Sequence, residues 1–362
     1  MADSLTAAAV VLSDLHFGTD LLREAEVPPL QFPWWRTVLA PSVRRYVQAK
    51  CKAHDIGILL SLPLYLKKVL HQLRLEGFGN NRFDFYLLLG DMSTYANGSS
   101  YVFLRQYISQ PNYSPQGLNS IKALDIPIDK LVVIPGNHDK MLRTDLDIYL
   151  RQFAKPLGFP GPLPRRSFFL TKNAGDIEFL FILVDASVYA SVAEKLDLTA
   201  REHLAMGRVS EELTQEIQIK MDQLRSGISV DAAKLENYSL ARKILLVHYA
   251  VDDRAVLGSV LPRDELVLPH SCAGLDNLIK DLSRDLHLVV HGHLHCARVY
   301  NHCGVSVISA TTATQKDGNN GFFVLKFYDS GDLLAEHHRW TGSGFVRDTN
   351  QDLNVRMSLA LR

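Results

Sequence analysis

Hydrophobic residues in this chain occur in short, nearly uninterrupted runs, most of which stop at a glycine or a polar residue. Apolar runs of this kind between turn residues are typical of strands that are buried on both faces, as in proteins with parallel sheets. The clearest runs cover residues 7–12, 83–89, 131–134, 244–247 and 286–290, and runs at 179–184, 305–309 and 322–327 predict further strands.

Helical spacing of apolar residues alternates with these strands, and it predicts helices over residues 55–75, 99–109, 141–153 and 275–282. Pro63 should bend or interrupt the first helix, because proline has no backbone N–H to donate. In the polar stretch that follows residue 190, Ser210 and the two glutamates after it predict the start of another helix. Alternating strands and helices indicate a layered α/β fold.

Composition narrows the class of protein and its surroundings. A chain of 362 residues can form one large domain with insertions or two smaller domains. Basic and acidic residues number 39 each, so the balanced charge gives no general attraction to nucleic acid or anionic lipid. The cysteines (Cys51, Cys272, Cys296 and Cys303) form no CxxC pair, and residues 1–11 resemble neither a signal peptide nor a membrane span. We therefore expect a cytoplasmic protein.

Two long connections are predicted to be insertions in the fold. Residues 19–52 contain several prolines, basic residues and the pair Trp34-Trp35, and we expect them to form an amphipathic lid over the site. The same content would also suit peripheral contact with a lipid surface or with nucleic acid. With a second insertion at about residues 186–240, the chain reads as one domain over 1–340 and a tail at 341–362.

Candidate chemistry is concentrated where the apolar runs end, which is where α/β proteins place their functional groups. If the first strand continues to residue 16, Asp14 and His16 lie on one side of it, because side-chain direction repeats every second residue. A helix or loop cap is the alternative for this pair. The same arrangement recurs along the chain, and the full set is Asp14, His16, Asp91, Asn137, His138, His248, His293 and His295.

Such a set at one edge of a sheet requires a cation, because the carboxylates would repel one another and the imidazoles would compete for protons. Two divalent ions resolve both problems, and the mixed oxygen and nitrogen donors suit Mn, Fe or Zn better than Ca or Mg. Two dications against two aspartates leave about two units of positive charge for an anionic substrate. Bound water would have its pKa lowered to about 7, which favours phosphoester hydrolysis by in-line attack of metal-bound hydroxide.

The ordered motifs resemble the signature of the calcineurin-like metallophosphoesterases. These motifs are Asp14-Leu15-His16, Gly90-Asp91, Gly136-Asn137-His138-Asp139, His248 and Gly292-His293-Leu294-His295. The resemblance spans residues 14–295 and implies a four-layer αββα sandwich, in which helices flank two mixed sheets. It also implies a ligand set: Asp14, His16 and His295 for one metal, Asn137, His248 and His293 for the other, and Asp91 as the bridge.

The same resemblance implies that His138 does not bind metal but stabilises the transition state or protonates the leaving group. The sequence agrees in one respect, because neighbours on an extended chain point apart and Asn137 and His138 should then have separate tasks. Thr94 and Tyr249 depart from the family, in which an aspartate and a second histidine often stand at these positions. Among the neighbouring residues, we expect His291 to be structural, Asp139 to orient the motif and Asp185 to cap a helix or loop.

The substrate implied by the motifs is a small phosphodiester, since His138 and the HxH ending resemble the bacterial cyclic-nucleotide phosphodiesterase branch. Phosphomonoesters and nucleotide-sugar pyrophosphates are the enzymatic alternatives, while the neutral composition disfavours a nuclease. A scaffold that keeps the fold without catalysis is the non-enzymatic alternative. All seven expected ligands and His138 are present, which favours an enzyme. The sequence leaves the metal identity and the oligomeric state open.

Overall fold

The computed structural model describes residues 4–16, 57–93, 98–113, 121–140, 149–155, 167–187, 207–252, 272–314, 320–349 and 353–356. In chain order the strands are β1 Leu5–Leu12, β2 Phe85–Leu89, β3 Asn112–Tyr113, β4 Ile121–Lys122, β5 Leu131–Ile134, β6 Ser167–Ala174, β7 Ile177–Val184, β8 Gly207–Arg208, β9 Arg242–Val247, β10 Cys272–Ala273, β11 Leu288–His291, β12 Arg298–His302, β13 Val305–Ser309, β14 Gly321–Tyr328, β15 Asp332–Trp340, β16 Phe345–Arg347 and β17 Leu353–Arg356. The α-helices are α1 Gly57–Leu75, α2 Gly98–Ser109, α3 Glu211–Arg225 and α4 Leu275–Leu282. Shorter helical turns occupy Ile128–Lys130, His138–Lys140 and Leu150–Ala154.

Two mixed sheets contain most of these strands. The first has the order β16-β15-β14-β1-β2-β5, with β17 also paired to β15, and the second has the order β12-β13-β11-β9-β7-β6. Each sheet contains a run of parallel strands: β1, β2 and β5 in the first, where β5 is the edge strand, and β7, β9, β11 and β13 in the second. Parallel neighbours end at the same edge, so the residues that follow these strands are brought together.

Helices cover the outer faces of the two sheets. Along β2, Leu88 packs in a core that includes residues of α1 and α2, whereas Leu87 and Leu89 face the second sheet. A third core packs residues of α3 and α4 against the other face of the second sheet. Both faces of the central strands are thus buried, which explains why they read as continuous apolar runs. The expected αββα sandwich is confirmed.

Pro63 lies inside α1, and the helix continues through it to Leu75. Proline cannot donate to the carbonyl four residues earlier, which belongs to Leu59. That carbonyl accepts a hydrogen bond from the hydroxyl of the buried residue Tyr107. A tertiary contact therefore replaces the missing helical bond, and the helix is not interrupted.

Other expectations about the elements have mixed outcomes. The helix start at Ser210 is confirmed, because its hydroxyl accepts a hydrogen bond from the backbone N–H of Leu213. The insertion at 19–52, with its membrane contact, lies outside the described residues, as does the first part of the helix at 141–153. Of the insertion at 186–240, the described part contains β8 and α3. The boundary at residue 340 stays a prediction, and β16 and β17 beyond it pair with β15.

Candidate metal centre

The predicted site residues follow β1, β2, β5, β9 and β11, which belong to the parallel runs of the two sheets. The structure brings all eight of them into one cluster. Six of the side chains are almost fully buried, and those of His293 and His295 are partly exposed at its mouth. His293 and His295 are therefore the members of the cluster that solvent reaches most easily.

Asp14, His16 and His295 form one group of donor atoms. The Nε2 atoms of His16 and His295 lie 3.3 Å apart, and Asp14 Oδ1 lies 3.1 Å from His295 Nε2. Asp14 Oδ1 is also 4.0 Å from His16 Nε2. Three donor atoms at these separations can share one cation, because ligand atoms bound to a common ion lie at similar distances from one another.

Asn137, His248 and His293 form a second group beside the first. The Oδ1 atom of Asn137 lies 3.0 Å from His248 Nε2 and 3.2 Å from His293 Nδ1. The other ring nitrogen of His248 lies 2.7 Å from the backbone carbonyl oxygen of Leu89. A hydrogen bond donated there would leave Nε2 of the neutral ring unprotonated and directed at the cluster.

Asp91 lies between these groups. Its Oδ2 atom is 4.0 Å from His16 Nε2 on one side and 3.4 Å from His248 Nε2 on the other. The same oxygen is 3.9 Å from His138 Nε2. Asp91 is the carboxylate that reaches both groups, which is the position expected of a bridging ligand.

The backbone of several of these residues is left-handed rather than extended. The φ angles are 51° at Asp14, 44° at His16, 50° at Asp91, 70° at His293 and 53° at His295. Non-glycine residues rarely adopt such angles, and they cluster at functional sites where the surrounding structure compensates for the strain. The expectation that Asp14 and His16 converge because the strand continues is wrong, because β1 ends at Leu12 and the turn brings the two side chains together.

The backbone also differs from the extended chain expected at Asn137 and His138, since a helical turn begins at His138. The side chains nevertheless go different ways. Asn137 contacts His248 and His293, whereas the His138 ring lies edge-on to the His16 ring, with centroids 4.9 Å apart. His138 therefore lies beside the two groups, next to Asp91.

Two glycines allow the motifs to approach each other closely. A Cβ atom at Gly136 would lie 2.1 Å from Asp91 Oδ1, and one at Gly292 would lie 2.0 Å from Ser13 Oγ. Real Cβ atoms are not found at such distances, so any side chain at either position would displace a residue of the cluster. These contacts explain why Gly-Asn-His and Gly-His-x-His form the motifs rather than the polar residues alone.

Asp139 stabilises the two turns that carry Asp91 and Asn137. Its carboxylate accepts hydrogen bonds from the backbone N–H groups of Gly136 at 2.9 Å, Met92 at 3.3 Å and Ser93 at 3.2 Å. The hydroxyl of Tyr101 donates a fourth, at 2.9 Å. Asp139 thus joins the turn after β5 to the turn after β2, as expected of a residue that orients its neighbours. Burial, together with the nearby Asp91 carboxylate, raises its pKa to about 6.

The electrostatics of the cluster favour bound positive charge. Burial would raise the pKa of Asp14, but the nearby His295 imidazole lowers it to about 2. Burial would likewise lower the pKa of His248, but the Asp91 carboxylate raises it to about 9. Both effects mean that buried carboxylates attract protons to the imidazoles around them. A divalent cation would replace those protons, because imidazole binds metal in its neutral form.

The donor set fits two divalent ions. Three overlapping groups of potential ligands lie in the cluster, and within each group the ligand atoms lie within 4.8 Å of one another. They are Asp14 with His16 and His295, Asp91 with His248 and His293, and His16 with Asp91 and His138. Asn137 adds an amide oxygen to the second group. Carboxylate, amide and imidazole donors together suit borderline transition ions.

Other residues named from the sequence lie outside this donor set. His291 has its ring nitrogens 3.0 Å from the Gly292 carbonyl oxygen and 3.1 Å from the Tyr300 hydroxyl, so it is placed structurally. Asp185 accepts a hydrogen bond from the backbone N–H of Ser187 at 3.1 Å. Thr94 lies outside the described residues.

Sequence reasoning missed two supporting residues. The Tyr249 ring is buried against the rings of His293 and His248, with centroids 4.8 Å and 5.3 Å away. Thr312 donates a hydrogen bond to the Asp14 backbone carbonyl at 2.7 Å. Thr312 stands in a polar stretch that follows the apolar strand β13, so the strand-end signal could have indicated it. Tyr249 also follows a buried strand, β9, but the sequence indicated it only as a departure from the family and not as a support for His293.

The fold and the cluster together are those expected of the metal-binding αββα phosphoesterase class. The chain belongs to the calcineurin-like phosphoesterase family, whose sequence model matches residues 9–297. That match covers every residue of the cluster. No curated protein matches the chain significantly by sequence.

Solved structures similar to this chain are distant in sequence. GAP50, the anchor in the inner membrane complex of Plasmodium, is 10% identical, with 98% of this chain and 89% of that chain covered and a TM-score of 0.47. The purple acid phosphatase PPD1 from yellow lupin (Lupinus luteus) seeds is 15% identical, with 98% and 54% covered and a TM-score of 0.48. The phosphopantetheinyl hydrolase PptH from Mycobacterium tuberculosis is 14% identical, with 85% and 91% covered and a TM-score of 0.41.

Proposed function

We propose that this protein is a dinuclear metal-dependent phosphodiesterase that hydrolyses a small anionic phosphodiester. The observation that carries the proposal is the position of Asp91, whose Oδ2 atom lies within 4.0 Å of His16 Nε2 and 3.4 Å of His248 Nε2. One carboxylate between two groups of donors is the arrangement needed to hold two cations close enough to act on one phosphoryl group.

Each side chain has a role in this proposal. Asp14, His16 and His295 would hold one ion, Asn137, His248 and His293 the other, and Asp91 both. The ions, which we expect to be Mn, Fe or Zn, would supply Lewis-acid activation of water and neutralise charge on the phosphoryl oxygens. The chain itself fixes the ligands through Asp139, through the Leu89 carbonyl at His248, and through the turn backbones.

His138 is the residue we assign to proton transfer. It is almost completely buried, and its Nε2 atom lies 3.9 Å from Asp91 Oδ2, next to both donor groups. An imidazole there can donate a proton to the oxygen of the leaving alcohol, or a hydrogen bond to a phosphoryl oxygen. Its ring nitrogen lies close enough to His16 and Asp91 to reach a shared ion, but we assign the metal positions to the other seven residues and proton transfer to His138.

Hydrolysis assays with the purified full-length chain test the proposal. After reconstitution with Mn²⁺, Fe²⁺ or Zn²⁺, metal content would be measured together with hydrolysis of bis(p-nitrophenyl) phosphate and p-nitrophenyl phosphate. We expect up to two ions per chain and faster turnover of the diester. Cyclic nucleotides, nucleotide sugars and DNA would then locate the natural substrate class, with DNA expected to be the poorest.

Other outcomes would assign the site differently. Turnover of the monoester alone would make the protein a phosphatase, and turnover of nucleotide sugars alone a pyrophosphohydrolase. A metal-replete chain that hydrolyses none of these compounds would favour a scaffold. The complete donor set argues for an enzyme, because a scaffold has no need to retain every ligand.

A cytoplasmic location is also part of the proposal. Within the part of the chain that the structure describes, Cys272, Cys296 and Cys303 form no disulfide, which suits a reducing compartment. No helix in the described ranges has both the length and the apolar character needed to cross a bilayer. Any peripheral membrane contact would have to come from residues 19–52, which lie outside those ranges.

A further inference from the structure

A second set of metal-binding side chains lies where the turn between β12 and β13 meets α4. Asp276 stands in the first turn of α4, and His302 and Cys303 lie at the β12–β13 turn. Ser306 pairs with Leu288, the first residue of β11, so this turn lies at the start of that strand. The metal centre is at its other end, because His293 and His295 follow the last residue of β11.

The three side chains converge on a small volume. The Asp276 Oδ1 atom lies 2.5 Å from His302 Nε2 and 3.8 Å from Cys303 Sγ, and the three atoms all lie within 4.8 Å of one another. Tetrahedral zinc, with bonds of about 2.0 to 2.3 Å, separates its ligand atoms by about 3.3 to 3.6 Å. A small rotation of side chains would bring the three atoms to these distances.

The chemistry of this set differs from that of the metal centre. A thiolate, an imidazole and a carboxylate suit a borderline ion such as Zn²⁺ and do not suit Ca²⁺ or Mg²⁺. Cys303 is exposed, and the Asp276 side chain is 60% exposed, so water can occupy a fourth position.

We propose that Asp276, His302 and Cys303 form a zinc site separate from the dinuclear centre, which fastens the start of α4 to the β12–β13 turn. The site would hold one Zn²⁺ with a solvent molecule as the fourth ligand. It does not depend on the phosphoesterase chemistry, because no member of the dinuclear donor set belongs to it.

Cobalt(II) tests this proposal, because it occupies zinc sites and absorbs in the near ultraviolet when a thiolate binds it. The dinuclear donors are oxygen and nitrogen, so a thiolate-to-cobalt band would report on a cysteine site alone. Titration of the full-length chain with Co²⁺ should give this band, and its intensity should stop rising once one Co²⁺ per chain is bound at the thiolate site. Addition of Zn²⁺ should remove the band. Cys303→Ser should abolish the band, and His302→Ala should weaken Co²⁺ binding by ~10-fold or more.

Cys296→Ser is the matched control, since that thiol directly follows His295 at the metal centre. This variant should keep the band unchanged. The proposal is overturned if the wild-type chain shows no thiolate band, if the band survives in Cys303→Ser, or if Cys296→Ser removes it. Circular dichroism would verify that each variant is folded, and Cys303→Ser should be tolerated because its side chain is exposed in a turn.

Discussion

The carboxylate of Asp91 contacts both the backbone and the ring of His138. Its Oδ1 atom accepts a hydrogen bond from the His138 backbone N–H at 2.8 Å, while Oδ2 lies 3.9 Å from His138 Nε2. One side chain thus joins the proposed metal bridge to the proposed proton donor. Mutation can still separate metal bridging from proton transfer, because Asp91 belongs to both donor groups whereas His138 is assigned to neither.

Replacing Asp91 should impair both metal positions at once. Asp91→Asn keeps the shape of the side chain but removes its charge, so we expect the affinity for both ions to fall by at least ~10–100-fold, the range reported for changes outside the ligand shell. Metal content after dialysis measures this. Asp185→Asn is the matched control, a buried strand-end aspartate outside the cluster, and should retain both ions. Loss of a single ion from Asp91→Asn would refute the bridging role.

Replacing His138 should reduce turnover without removing metal. We expect kcat for His138→Ala to fall by ~10²–10⁴-fold, the usual contribution of a general acid or base. If the ring protonates the leaving group, the loss should be larger for an alkyl leaving group than for p-nitrophenolate, which departs without a proton. Parallel assays with the two kinds of ester measure this difference. Loss of the metals in this variant would show that His138 is a ligand.

Asp139 should matter for stability and for metal retention. In Asp139→Ala, the buried N–H groups of Met92, Ser93 and Gly136 lose their acceptor, and a buried donor without a partner costs ~1–3 kcal/mol. We therefore expect a lower free energy of unfolding and weaker metal binding, because Gly136 adjoins Asn137. Tyr101→Phe removes one donor and leaves the carboxylate in place, so denaturant titration should show a clearly smaller loss. Equal losses would contradict this account.

His337 should make the stability depend on pH. It is 2% exposed, and burial is the main cause that lowers its pKa to about 4, below the ordinary value of 6.5. His337 therefore binds a proton more readily in the unfolded chain than in the folded protein. The free energy of unfolding therefore decreases as the pH falls from 6.5 towards 4. At pH 5 the linked cost is about 2 kcal/mol.

Denaturant titrations of metal-free protein at pH 7 and pH 5 can measure this effect. His337→Leu cannot be protonated, so its free energy of unfolding should fall less between the two pH values than that of the wild type. His71→Gln replaces an exposed histidine on α1 and serves as the control for a histidine substitution. An unchanged pH dependence in His337→Leu would show that His337 is not buried in its neutral form.

Local pattern was sufficient for the central strands and for several helices. Residues 305–309 and 275–282 were predicted with the bounds that the structure has. Strands such as β12 and β15 were not predicted, because their polar residues hide the apolar pattern. In β15, the buried Glu336 forms ion pairs with Lys326 on β14 and Arg347 on β16, and strand pairing brings these partners to it.

Sequence by itself determined which residues could form the cluster, because each motif ends a buried strand and parallel strands end at a common edge. It also indicated the family, through the order of the motifs. Only the tertiary structure decided how the side chains meet. The left-handed backbone at Asp14 and His16, the close approach of Gly136 to Asp91, and the position of Tyr249 against His293 depend on contacts between segments far apart in the chain. The second cluster at Cys303 depends on such contacts too, because strand pairing and helix packing, rather than local pattern, bring Asp276 to it.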